Sequence, residues 1–127
     1  MTDERELFQQ ALNQSYFRAI FENQREKLIE VFKGDCIYPF NGGYFLLGPV
    51  LFAEVSMYID EEQTTAILLD INYNTIKIDD LKDFLLKVRS TYTEALNKYK
   101  MGIARLKKSR EVPTLTKLHD LEDDVEE

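Results

Sequence analysis

Residues 79–110 read DDLKDFLLKVRSTYTEALNKYKMGIARLKKSR, and no other stretch narrows the possible folds of this chain so far. Leu81, Leu85, Val88, Tyr92, Ala95, Tyr99, Gly102 and Leu106 recur at alternating steps of four and three. That period of 3.5 residues keeps one helical stripe turned toward a partner. Asp79 or Asp80 can cap the start, since a short carboxylate accepts the free N–H groups of a first turn. Lys107, Lys108 and Arg110 stand at the other end, where cations complement the helix dipole. A continuous helix of this length measures roughly 45 Å at 1.5 Å per residue. A domain of this size is only about 30 Å across. The helix is therefore expected to overhang the body or to lie against a second copy or another partner.

A second long helix is expected over residues 3–33. Asp3 and Glu6 have capping-box spacing, and Phe8, Leu12, Tyr16 and Ile20 step by four with Leu7, Ala11, Phe17 and Phe21 beside them. These side chains are expected to be core. The polar interval Glu22 to Lys27 interrupts the pattern before Leu28, Ile29, Val31 and Phe32 resume it, which leaves open one helix or two. Gly34 is placed to end it.

Between the helices the period changes from 3.6 to two. CIYPF and YFLL flank Asn41-Gly42-Gly43, and an Asn-Gly pair between apolar runs marks a tight hairpin. Val50 to Ile59 alternates, with Leu51, Ala53, Val55, Met57 and Ile59 on one side, so it reads as a strand. Thr65, Ile67, Leu69 and Ile71 are expected to form the core face of the next strand. Asn72-Tyr73-Asn74 turns the chain into a short strand over Ile76–Ile78. The expected class is α+β: a long N-terminal helix, a four-stranded antiparallel β-meander over 36–78, and a long C-terminal helix over 79–110. These form one domain spanning 1–112, followed by an acidic-apolar tail over 113–127 that Pro113 separates from the helix.

The net charge of −7 is not spread over the surface. The last nine residues, HDLEDDVEE, hold six acids and no Lys or Arg, so the remaining chain is nearly neutral. Lys98, Lys100, Arg105, Lys107, Lys108 and Arg110 form a basic run with no acid between them. Within the tail, Leu115, Leu118, Leu121 and Val125 are spaced three or four apart among Asp120, Glu122, Asp123, Asp124, Glu126 and Glu127. Such a segment is marginal alone and can order on a partner.

Signals for chemistry are poor. Phosphate-loop, dinucleotide and zinc spacings are absent, and the one histidine, His119, lies in the tail. Cys36 is the single cysteine, so no internal disulfide forms, and it reads as a semi-buried strand residue. Asp60-Glu61-Glu62 and Asp79-Asp80-Asp83 lack the spacing of a calcium loop and read as turn and cap charges. No catalytic residue, cofactor or metal ligand is assigned. The charged N-terminus, lacking an apolar leader core, and the lone thiol point to a cytoplasmic protein.

What remains is surface for binding. Tyr38, Phe40, Tyr44 and Phe45 surround the Asn-Gly turn, with Phe52 and Tyr58 on the neighbouring segment. Half of them must face away from a one-sided core. Either the N-terminal helix covers them or they form an exposed patch of the kind that marks an interface. The expected function is a non-enzymatic protein-interaction module, whether adaptor, inhibitor, chaperone or assembly subunit, and homo-oligomeric. Its expected interface combines Leu81, Leu85, Val88, Tyr92, Tyr99 and Leu106 of the seam with Tyr38, Phe40, Tyr44, Phe52 and Tyr58. The tail motif is Leu118, Leu121, Asp123, Asp124, Glu126 and Glu127. The alternative is a nucleic-acid-associated protein whose basic run from Lys98 to Arg110 contacts phosphate under control of the tail.

Overall fold

The computed structural model describes residues 3–111, with side chains through Lys108. The chain is α+β, with two long helices and four strands in two small antiparallel sheets. Helix α1 (Glu4–Asp35) is one unbroken helix, so the polar interval Glu22 to Lys27 does not divide it. Asp3 starts it, its carbonyl accepting the N–H groups of Glu6 and Leu7. Strands β1 (Ile37–Phe40) and β2 (Gly43–Leu46) form the expected hairpin. Its two-residue turn holds Asn41 at φ 47° and Gly42 at φ 80°, the left-handed pair that a tight hairpin requires.

The segment expected as the next strand is instead helix α2 (Pro49–Asp60), and the four-stranded meander is replaced by two separate ribbons. Pro49 occupies the first helical turn, where its missing N–H costs nothing. Leu51 and Val55 are buried, and Phe52, Tyr58 and Ile59 pack around the same core, a spacing of four and three rather than two. Ala53 and Met57, assigned to the inner face by alternation, are exposed. The helix ends with Glu62 at φ 65°. The Glu62 N–H donates to the Ile59 carbonyl, and the Gln63 N–H to the Tyr58 carbonyl. That is the left-handed cap in which glycine is more usual.

Strands β3 (Ala66–Leu69) and β4 (Thr75–Ile78) form the second ribbon, pairing Leu68 with Ile76 and Ala66 with Ile78. Here the expected faces are inverted. Leu68 is buried while Ile67, Leu69 and Ile71 face outward, and Thr65 is exposed as well. Every position from Ala66 to Leu69 is apolar, so alternation alone could not choose the inner face. The pairing with Ile76 and Ile78 chose it. The inversion carries Asp70 inward, where three backbone N–H groups satisfy its carboxylate. Helix α3 (Leu81–Glu111) follows, with Asp80 as its cap, accepting the Asp83 N–H at 3.1 Å.

Two packing units divide the chain, residues 31–98 and a helical unit of α1 up to Glu30 with α3 from Tyr99 onward. The first is centred on Phe84. Its ring lies 5.0 Å from Phe40, 5.4 Å from Phe45 and 6.4 Å from Tyr38, all edge to face. Leu47, Leu68, Ile78, Leu81 and Val88 complete that core. The helical unit buries Leu28 and Leu106, with Phe17, Ile20, Phe21, Tyr99 and Ile103 packed against them. At Gly102 a Cβ would stand 2.6 Å from Leu28 Cδ2, so glycine permits this close approach. Phe8, Leu12 and Tyr16, expected in a core, belong to neither cluster and are exposed. Periodicity reports a stripe on a helix and is silent on what covers it.

Candidate functional site

The seam of α3 is internal. Leu81, Val88 and Leu106 are buried, and Leu85, Tyr92 and Tyr99 pack against the chain's own cores. Helix α3 thus contributes its stripe to both packing units. The aromatics of the hairpin are absorbed in the same way. Phe45 is buried, Tyr38 and Phe40 close on Phe84, and Phe52 meets Tyr92 with ring centroids 5.4 Å apart. Tyr58 packs on the same core. Phe84 and the other groups of α3, not the N-terminal helix alone, provide the cover. Phe84 itself falls off the 3.5-residue seam, and an aromatic one step before Leu85 was the signal that could have found it.

Of the aromatics expected at an interface, Tyr44 alone is exposed, at 49%. Pairing explains its company. Leu46 points outward with it on β2, and Ile37 faces Leu46 across the ladder. Ile67 and Leu69, exposed at 65% and 57%, are the outward residues of β3. A backbone bond joins the two ribbons, the Ile71 N–H donating to the Tyr44 carbonyl at 2.9 Å. Asp70 locks that junction. One carboxylate oxygen accepts the Tyr44 N–H at 3.0 Å, and the other accepts those of Asn72 and Asn74 at 2.9 and 2.8 Å. Burial acts to raise the Asp70 pKa. The hydrogen bonds from Tyr44, Asn74 and Asn72 outweigh it and hold the carboxyl below the ordinary carboxylate value. Asn41 adds a second tie, its Nδ2 donating to the Lys77 carbonyl at 3.1 Å. Tyr44 and Ile71 meet at this braced junction, with Ile37 and Leu46 outward on the first ribbon and Ile67 and Leu69 outward on the second, where Lys77 and Thr75 are their cross-strand neighbours. Each ribbon has only two strands, so backbone edges accompany these side chains.

Several charged groups are taken up in local structure. Lys87 pairs with Asp83 at 3.0 Å and Lys77 with Asp79 at 3.7 Å, while Asp80 caps α3. Among the described residues no three His, Cys, Asp or Glu side chains gather as a metal site would require. In the basic run, Lys98 is engaged by Asp35 at 3.3 Å, Arg105 is half-buried, and Lys100, Lys107 and Lys108 are exposed. Cys36 is buried in the turn before β1. Burial first, and the charge of Asp35 second, raise its thiol pKa and suppress the reactive thiolate. It borders an apolar groove of about 280 Å³ together with Phe32, Leu47, Pro49 and Tyr92. The side chain of Arg110, His119 and the tail residues Leu118, Leu121, Asp123, Asp124, Glu126 and Glu127 lie outside the described residues. Among the described residues no helix is long and apolar enough to cross a membrane.

No family model matches this chain, and neither a curated protein nor a solved structure matches it.

Proposed function

We propose that this protein is a non-enzymatic interaction module that assembles through the outer face of its two hairpins. The observation that carries this reading is the braced apolar surface around the Tyr44–Ile71 bond, with open strand edges beside it. Exposed apolar side chains clustered on a folded chain usually mark an interface, and two-stranded ribbons offer edges for a further strand. Because the α3 seam is occupied by the chain's own core, the hairpin face is where a second copy or another subunit would bind. Adaptor, chaperone and assembly subunit are all roles such a face can serve. A free thiol fits a reducing compartment such as the cytoplasm. The test is solution mass by sedimentation at increasing concentration. Ile67→Asp with Leu69→Asp should turn an associating wild type into a monomer while leaving its helical content intact. A wild type that stays monomeric at high micromolar concentration overturns self-assembly through this face.

A second reading rests on Lys100, Lys107 and Lys108, which are exposed and have no ion pair among the described residues. They could contact phosphate on a nucleic acid, with affinity falling steeply as salt rises. Failure of single- and double-stranded DNA and RNA to bind at low salt would remove it.

A further inference from the structure

In an antiparallel ladder, residue pairs that exchange hydrogen bonds alternate with pairs whose N–H and C=O groups point outward. In the second ribbon the Asp70 N–H donates to the Asn74 carbonyl at 3.0 Å, which makes that pair a bonded one. The register then makes Leu68 with Ile76 and Ala66 with Ile78 bonded pairs as well. Ile67 and Leu69, with Thr65 just before the strand, therefore direct their backbone groups away from β4, along the outer edge of β3. Two further bonds agree with this phase. The Leu81 N–H donates to the Thr64 carbonyl at 2.9 Å on the inner side. The Lys77 carbonyl, on the side of β4 away from β3, accepts Asn41 Nδ2 at 3.1 Å. No described residue bonds to the outward groups of Thr65, Ile67 or Leu69.

The other three edges are interrupted. On β1 the outward position opposite Tyr44 is Pro39, which has no N–H to give. On β2 the outward N–H and C=O of Tyr44 are taken by Asp70 and Ile71. On β4 Lys77 places a charge at the edge, and its carbonyl is already bonded. Charges and prolines are the devices that keep an exposed edge single. Residues 64–69 have neither, and Ile67 and Leu69 stand exposed on the outer face.

We propose that the β3 edge pairs antiparallel with β3 of a second copy of this chain, across a two-fold axis at Ile67. The proposal rests on the hairpin-face reading above and specifies how two copies join there. Ile67 lies opposite Ile67 of the second copy, and Thr65 opposite Leu69, so each outward N–H meets an outward C=O. The exposed aliphatic side chains then meet on one face. The acids beside the edge, Asp60 to Glu62, run toward the uncharged Asn72-Tyr73-Asn74 turn of the other copy, so acid does not meet acid. A second copy supplies this match by symmetry, which selects it over an unrelated strand. Two ribbons too small to be stable sheets alone become one sheet of order β4-β3-β3-β4. Its outermost strands are both β4, whose edge is interrupted, so assembly closes at a dimer.

Ile67→Pro tests the edge itself, because it keeps an apolar side chain and removes the outward N–H, a change that edge positions tolerate. Self-association measured by sedimentation should weaken at least about tenfold, with helical circular dichroism unchanged. A cysteine trap reads the register without that variant. Ile67→Cys should oxidise rapidly to a linked dimer, since a bonded antiparallel pair sets its Cα atoms about 5.5 Å apart. Thr65→Cys and Leu69→Cys should cross-link when mixed but not singly, because like positions lie roughly 14 Å apart along the strands. Cys36 is buried and does not compete. Association that survives Ile67→Pro but is lost in the Ile67→Asp, Leu69→Asp protein overturns edge pairing and leaves the face reading in place. Cross-linking of Thr65→Cys alone as fast as the mixed pair also overturns it. A wild type that is monomeric at high micromolar concentration overturns both.

Discussion

The unit of residues 31–98 and the helical unit are built from similar apolar stripes and end with very different interiors. In the first, strands, a short helix and α3 converge from several directions, so Phe84 meets Tyr38, Phe40 and Phe45 and is almost fully buried. In the second, two helices share a narrow contact, and the buried side chains are Leu28 and Leu106. Further along α1, Leu7, Phe8, Leu12 and Tyr16 continue the stripe at the same spacing and remain exposed. The lesson is that helical spacing predicts which residues share a face, while burial depends on how many elements reach that face.

The largest expected effect tests this contrast at its centre. Phe84→Ala removes the ring on which three other aromatics converge and should cost about 3–5 kcal/mol, the range for a buried Phe truncation. Leu106→Ala should fall near about 2 kcal/mol, the low end for leucine, because fewer groups surround the site. Urea denaturation measures both. Amide exchange should quicken across residues 31–98 in the first variant and near Leu28 and Tyr99 in the second. Equal costs would show that the two interiors are packed alike.

The glycines sharpen the comparison at a smaller scale. At Gly43 a Cβ would stand 2.7 Å from Ile76 Cδ1 and 3.0 Å from Asp70 Oδ2, so Gly43→Ala disturbs the core and the carboxylate that braces the ribbons. A loss of about 1–3 kcal/mol is expected, the usual cost of overpacking. Gly102→Ala meets the side chain of Leu28 first, while α3 gains about 1 kcal/mol of helix propensity. The two terms nearly cancel, and the denaturation midpoint should move little. A larger loss at Gly102 than at Gly43 would reverse the ranking of the two interiors.

The smallest effect concerns Asp70, which only the hairpin unit possesses. Its pKa is lowered on folding, because the hydrogen bonds it accepts outweigh burial. Its contribution is therefore fully present above the unfolded carboxylate value of about 3.9 and is lost as pH falls through the lower folded value. Stability should drop on acidification below about pH 4, and Asp70→Asn should flatten that part of the profile. A profile unchanged by the substitution would remove Asp70 from its bracing role. A difference in amide exchange at Tyr44 and Asn74 between wild type and variant at neutral pH would locate that role in the junction.

Some of this molecule was legible in the sequence because the signals are local. Asn41-Gly42 demanded positive φ, Asp80 offered a cap, and the two long helices declared themselves by period. Pro49 after Gly48 was also a helix start, and ten residues is long for a strand. Chance alternation in Val50 to Ile59 concealed both. The remainder was decided between distant residues. Ala66 to Leu69 are apolar on both faces, so only pairing with Ile76 and Ile78 sent Leu68 inward and left Ile67 and Leu69 outside. Asp70 inside the fold contradicts composition, and the N–H groups that permit it come from a strand and a turn that no local pattern connects. The sequence determined helices, turns and the faces of their stripes through short-range sterics and capping. Only the tertiary structure decided which face was covered, because burial is a property of the neighbours that arrive from elsewhere in the chain.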